Sequence, residues 1–263
     1  MVTQDAKYQA GNKTIISAYV NAPFDVAKAE LEGKGYAIIT PEQFAQLRIA
    51  KEADHKVSTN GAYTSMGDVM IPKKGRFLTN LSPVMKNSVE ATNAHRSGKE
   101  FYVSGEDAEK ALAGGNVVVP YNQSEVPTDR FGEDPITAFV FGKTAKAYGE
   151  FLKKTGINAM PLWFNDEKYI NSQEKPFANQ LWLRRLDADN QSNLYGDGRN
   201  LNCGNAVRGV RNVEPRSGET ASKISGYKFT NKQAEKYLKI LKEVRTGNIP
   251  ASKLEEVIKA FSA

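Results

Sequence analysis

The spacing of apolar positions changes several times along the chain, and each change marks a predicted element. In ITPEQFAQLRIAKEADHKV, Thr40 stands as a helix cap, Pro41 takes the first helical position, and Gln43 completes a capping box. The pattern predicts a helix from about Pro41 to Asp54, with His55 just past its end, placed to answer the last carbonyls. From Gly61 to Val103 the pattern shortens to strand-like pieces, GRFLTNLSPVM, NSVEATNAH and KEFYV, punctuated by Gly, Pro, Asn and Ser. His95 falls in a turn between two of them. SGEDAEKALAGG predicts a short helix capped by Ser104 and stopped at Gly114 and Gly115, and VVVP at Val117–Pro120 predicts one more strand.

The longest helix is expected from Asp134 to about Lys154. Val140, Ala147 and Phe151 form one row and Phe141, Ala145, Tyr148 and Leu152 the next, a broad apolar face. In PLWFNDEKYI, the aromatics Trp163, Phe164 and Tyr169 read as core residues. LWLRRL and AVRGVR are strand-compatible, with Leu181, Trp182, Leu183, Leu186, Val207 and Val210 available for burial. Beyond them a Ser/Gly-rich linker over 213–230 leads to a predicted helical hairpin over 231–263. Its helices are capped by Thr230 with Gln233 and by Ser252 with Glu255, and Lys232, Lys236, Lys239, Lys242 and Arg245 make one face basic.

Composition narrows the chemistry. The chain has 263 residues, enough for a substantial core, and a formal charge of +6 with pI near 9.1, mildly basic. One cysteine, Cys203, excludes an internal disulfide and a thiolate metal cluster, and two histidines leave little for a histidine-built centre. We expect no metal and no cofactor. The start, MVTQDAKYQAG, lacks an apolar leader, and no run is long enough to span a bilayer. The expectation is a soluble, non-secreted protein, cytoplasmic or carried to a surface within an assembly. Gly142-Lys143-Thr144 ends like a phosphate loop, but Thr137 occupies the position of its first glycine. DADNQSN starts like a calcium loop, yet Ser192 and Gly198 replace its turn glycine and closing glutamate. No nucleophile elbow or paired carboxylates argue for catalysis, so no enzymatic activity is expected.

What remains is the run between the two rigid strands, from Asp187 to Asn205, rich in Asn, Asp and Gly. Its candidate binding residues are Asp187, Asp189, Asn190, Ser192, Asn193, Tyr195, Asp197, Arg199, Asn200, Asn202, Cys203 and Asn205. Short polar side chains lose little entropy on binding, and Tyr and Arg concentrate binding energy. A scaffold holding a polar surface accounts for this composition.

The succession AKAYGEFLKKTG, PLWFNDEKYI, LWLRRLD, a Gly/Asn-rich excursion and AVRGVR resembles the C-type-lectin fold in its formylglycine-generating-enzyme-like branch. VRGVR after an Asn-rich run is similar to the variable proteins of diversity-generating retroelements, the archaeal ones included. The resemblance covers about Phe131 to Asn212. It implies a lectin-like domain with mixed small sheets and two helices over 117–212; the sequence pattern itself adds an N-terminal α+β part over 1–116, packed on that core or belonging to it, and the C-terminal hairpin, for an α+β protein as a whole. It also implies mutation at adenines, and free substitution within AAC or AAT never yields Lys, Glu, Gln, Trp or Met. Between Asp187 and Asn205 only Gln191 lies outside the permitted set. In the retroelement-associated proteins best known to us the variable segment is C-terminal, whereas here a linker and hairpin follow it. Formylglycine-generating activity does not carry over, because it uses paired cysteines.

The expected function is therefore non-enzymatic binding of a protein or other macromolecular ligand through a diversified surface. An assembly partner would use the N-terminal part or the C-terminal helices. The alternative is a nucleic-acid-associated protein using those basic helices with Arg184, Arg185, Arg208 and Arg211. A third reading, an enzyme descended from the formylglycine-generating fold, would depend on Cys203.

Overall fold

The computed structural model describes residues 1–10, 13–186, 192–197 and 200–213. The expected linker and hairpin beyond Val213 lie outside the described residues, as do Asp187, Asp189, Asn190 and Arg199. In chain order the elements are β1 (Thr3–Ala10), β2 (Lys13–Asn21), α1 (Phe24–Gly33), β3 (Ala37–Ile38), α2 (Pro41–Lys51), α3 (Lys56–Thr59), β4 (Ala62–Ile71) and β5 (Gly75–Thr79). Then come α4 (Pro83–Lys86), α5 (Ser88–Arg96), α6 (Gly105–Ala113), β6 (Asn116–Val118), β7 (Glu125–Pro127), α7 (Pro135–Phe141) and α8 (Ala145–Lys154). The last are β8 (Ala159–Trp163), α9 (Glu167–Ser172), β9 (Phe177–Leu183), β10 (Leu194–Tyr195) and β11 (Ala206–Val213).

The strands join into one 11-stranded mixed sheet in the order β1-β2-β11-β4-β9-β10-β8-β7, with β3 beside β11, β5 beside β4 and β6 beside β5. This replaces the several small sheets expected from sequence. Strands from before and after residue 117 alternate in it: β11 lies between β2 and β4, and β4 pairs with β9.

Period-two alternation divides the side chains between two cores. Ile15, Leu181, Leu183 and Val210 join Phe44, Phe141, Tyr148 and Leu152 from α2, α7 and α8. Ala18, Val20, Ala178 and Val207 join Phe24, Leu31, Ala91 and Ala108 from α1, α5 and α6. The sheet is thus covered by helices on both faces.

Three expected elements differ. NSVEATNAH is helical in α5, with Ala91, Thr92 and His95 buried at the spacing of one helix face. Its Asn, Ser and Thr residues are poor helix formers, and packing against α1, where the Asp25 amide donates to Thr92 Oγ1, overrides that preference. His95 is consequently a core residue rather than a turn residue. The long helix breaks at Gly142, whose φ of 53° and ψ of −137° only glycine adopts readily, and one turn of 3-10 helix at Gly142–Thr144 separates α7 from α8. KEFYV contributes one isolated bridge, Tyr102 to Phe177. The capping box on α2 forms as expected, whereas the helix ends at Lys51 and His55 caps the next helix by accepting from the Val57 amide at 3.1 Å.

Candidate functional site

The polar run leaves the sheet after β9 and returns through β10 to β11, so its geometry depends on how its two ends are held. Arg48 does much of this. It lies on the inner face of α2 with Phe44 and Leu47, fully buried, its guanidinium 4.3 Å above the Phe44 ring. Nη2 donates to the Arg184 carbonyl at 2.8 Å and the Asn60 carbonyl at 3.2 Å. Nη1 donates to the Tyr148 hydroxyl at 2.8 Å and to Ser192 Oγ at 3.4 Å. One side chain thereby ties the departing residue, Arg184, to the returning residue, Ser192. All four acceptors are uncharged.

Asn193 adds a second tie. Its carbonyl accepts from the Arg184 amide at 2.9 Å, and its amide group, oriented toward its donors, accepts from Trp163 Nε1 at 3.1 Å and Arg184 Nη1 at 3.3 Å. Ser192 and Asn193 are therefore buried scaffold residues and take no part in a displayed surface. From there β10 runs antiparallel to β9 and parallel to β8, setting Tyr195 opposite both Trp182 and Trp163. The Tyr195 and Trp163 rings stack at 5.9 Å and 9°. Trp163 is 51% exposed, against its expected place in the core; it is the last residue of β8, with Tyr195 stacked on its ring.

The returning segment docks on α1, where the Phe24 amide donates to the Leu201 carbonyl at 2.7 Å and the Leu201 side chain is buried. A turn closed by Cys203 N to Asn200 O at 3.1 Å follows, leaving Asn200 and Cys203 exposed and Asn202 half-buried. Asn205 hydrogen-bonds the Tyr63 hydroxyl, a phenol that burial pushes above its ordinary range.

Tyr195, Asn200 and Asn205 meet at a cavity of about 540 Å³. Tyr19 from β2, Tyr63 from β4 and Trp182 from β9 line it together with Arg184, Arg185 and Arg208. Trp182 sits over Gly61, where a Cβ would lie 2.5 Å from its ring; only glycine permits that approach. Edge-to-face contacts from Trp182 to Tyr63 at 4.8 Å and from Tyr63 to Phe24 at 5.5 Å brace this wall. The volume suits a small ligand or a few side chains of a larger one.

Arg208 is held from behind. It is buried, bound to Asp5 at 2.8 Å and to Ser17 Oγ at 2.7 Å, and burial lowers its pKa while Asp5 raises it. It is thus withdrawn from the row of arginines that a nucleic-acid surface would present. Arg211 instead lies 4.7 Å over the Tyr36 ring.

Asp197 points to a different neighbourhood. Asp68 on β4 is fully buried opposite Asn179 on β9, and Asn179 Nδ2 donates to the Gly196 carbonyl at 2.7 Å. Neither carboxyl oxygen of Asp68 has a hydrogen-bond partner among the described residues. Burial holds its pKa well above the usual carboxylate range; Arg76 pulls it down and Asp197 pushes it up. Below the ordinary carboxylate pKa the group is neutral in folded and unfolded chains alike. As pH rises past that value the unfolded chain ionises first, so stability falls until the folded-state pKa is reached. Asp68→Asn, which cannot ionise, should accordingly flatten the fall in stability above the ordinary carboxylate range. Arg76 keeps its carbonyl acceptors at Val119, Pro120 and Asn165 in that variant. Urea titrations at several pH values check this, and an unchanged profile would refute it.

Of the residues singled out in the sequence, the structure brings Tyr195, Asn200 and Asn205 to one cavity; Arg48, Asp5 and Asp68 were not singled out. Arg48 left one legible signal, a cation on the apolar face of α2 beside Phe44 and Leu47. Asp5 and Asp68 left none, since their roles depend on long-range strand pairing. Among the described residues no group of three or more His, Cys, Asp or Glu side chains is arranged to hold a metal ion, and no helix is long and apolar enough to cross a membrane.

No protein-family model matches the chain, and no curated protein sequence matches it. A solved structure reported as "Accommodation of massive sequence variation in Nanoarchaeota by the C-type lectin fold" is similar to it, with a TM-score of 0.56 and 17% identity, over 78% of this chain and 100% of that one. At that identity the likeness shows the fold. The described region has the C-type lectin fold, built here on a large mixed sheet.

Proposed function

We propose that this chain is a non-enzymatic binding protein that displays a diversified surface on a C-type lectin scaffold. One observation carries the reading. Tyr195, Asn200 and Asn205 stand at the mouth of a cavity, while the backbone on either side is fastened by Arg48, Asn193 and Leu201. Such a division lets side chains at the mouth change without loosening the frame. The similar structure concerns sequence variation on the same fold, which supports the reading, and retroelement mutation of Asn codons is the mechanism we propose for it.

Sequencing this gene across the codons for Leu181–Asn212 in a natural population tests the proposal. Substitutions should concentrate at Tyr195, Asn200, Asn202, Cys203 and Asn205, with Trp182, Leu183, Ser192, Asn193, Val207 and Gly209 constant. Sparse and even substitution would defeat it. Independently, the combined variant Asn200→Ser, Asn202→Ser should lose no more than about 1 kcal/mol by urea titration, the sum of two ordinary surface changes. A larger loss would mean that these residues hold the fold.

A further inference from the structure

Asp68, Asn179 and Asp197 meet around one residue, Gly196, and none of them lines the cavity. Asp68 and Asn179 are register partners on β4 and β9, so their side chains stand on the same face of the sheet. A Cβ at Gly196 would lie 2.6 Å from Asp68 Oδ2, and Asn179 Nδ2 donates to the Gly196 carbonyl at 2.7 Å. Asp197 follows, half-buried, and its charge acts on the Asp68 carboxyl. We infer that these three side chains hold a calcium ion, through the carboxylates of Asp68 and Asp197 and the amide oxygen of Asn179. The site does not depend on the binding function proposed above.

Both carboxyl oxygens of Asp68 and the amide oxygen of Asn179 have no hydrogen-bond partner among the described residues, and both side chains are fully buried. Acceptors withdrawn from water with neither a donor nor a cation are costly, and folded proteins keep few of them. Neighbouring groups do not supply the donor. Arg76 favours the Asp68 carboxylate through its charge, yet its hydrogen bonds go to the carbonyls of Val119, Pro120 and Asn165. Asp197 opposes it, so two like charges face one guanidinium. A water molecule offers two hydrogens and leaves that repulsion in place, whereas a cation answers the oxygens and the charge together.

The donors are all hard oxygens, two carboxylates and a carboxamide, a set that suits calcium or magnesium and not zinc or copper. Asp68 is fixed by its strand and Asn179 by its bond to Gly196, so the set cannot rearrange into the regular octahedron that magnesium demands. Calcium accepts irregular geometry and completes its shell with backbone carbonyls and water. The ion would fasten the chain just after β10 to β4 and β9, which makes Asp197 part of the frame rather than of the displayed surface.

The test is thermal unfolding of the full chain, stripped with EDTA and returned to calcium chloride, magnesium chloride or sodium chloride at one ionic strength and neutral pH. Calcium at about a hundredfold excess over its Kd should raise Tm by about 5–10 °C, with magnesium and sodium well behind. Asp68→Asn, which keeps the shape of the side chain, should lose the response, and Asp197→Asn should weaken calcium binding about tenfold or more. The combined variant Asp187→Asn, Asp189→Asn, in the acidic stretch of the run itself, should keep the full response. Hydrogen exchange at the Gly196 amide, bonded to the Trp163 carbonyl, should slow with calcium in the unaltered chain and not in Asp68→Asn. No calcium response in the unaltered chain overturns the inference, and an equal response to magnesium or sodium overturns calcium as the ion. A response that survives Asp68→Asn, or that disappears only in the Asp187 and Asp189 variant, overturns the site. The readout is stability, so each of these outcomes leaves the proposed binding function standing.

Discussion

Arg48→Met should destabilise the protein by about 2–4 kcal/mol, more than any combination of changes at the cavity mouth. Arg48 is buried without a carboxylate partner, so its removal also relieves a desolvation cost, and the balance needs to be judged. Methionine fills similar volume over Phe44 but donates nothing. The Tyr148 hydroxyl and the Asn60 carbonyl would lose this donor and the Arg184 carbonyl would keep only Ser192 Oγ at 3.4 Å, and bonds to a charged donor at about 1.5–3 kcal/mol each outweigh the relief. Arg48→Lys keeps the charge yet cannot serve two carbonyls and two hydroxyls from one plane, so it should fail nearly as badly. Chemical denaturation measures the loss, and hydrogen exchange at the Arg184 amide, bonded to the Asn193 carbonyl, locates it. A loss below about 1 kcal/mol with unchanged exchange would show that the run is held by other means.

The second large effect concerns Asp5 and Arg208. Asp5→Ala leaves a buried guanidinium without its counter-charge and should cost about 3–5 kcal/mol, the range for breaking a buried pair from one side. Pairing Asp5→Leu with Arg208→Met removes both charges and should recover most of that loss. Equal losses in the single and double variants would indicate that the hydrogen bond to Ser17 and the Tyr19 ring, 5.6 Å from the guanidinium, matter more than the ion pair.

The parts legible in sequence were those fixed by neighbours along the chain. The Thr40 capping box, the Ser104 cap and the Asp134 cap with Pro135 all depend on contacts within a few residues. LWLRRL and AVRGVR declared themselves as strands through their apolar positions and take their places in β9 and β11. What pairing across the chain decides was not legible. Nothing near Arg208 announces Asp5, 203 residues away, and nothing near Ser192 announces Arg48, 144 residues away. Even Trp163, read as core, owes its exposure to the position of β8 near the sheet edge. The mouth residues were found by composition, and the floor beneath them became visible only when β2, β4 and β9 came together.

The position of β11 has a consequence for how the protein is made. It is the last described strand in the chain, yet it fills the gap between β2 and β4, pairing Val213 with Thr14 and Ala206 with Asn21. The earlier strands cannot close their sheet until the polar run has been synthesised and has bridged from β9 to β11. Such long-range closure is a slow step, during which unpaired edges invite aggregation. On the proposed function, each sequence in the run would be examined by folding before any ligand meets it, and variants whose run fails to deliver β11 would remain open to proteolysis.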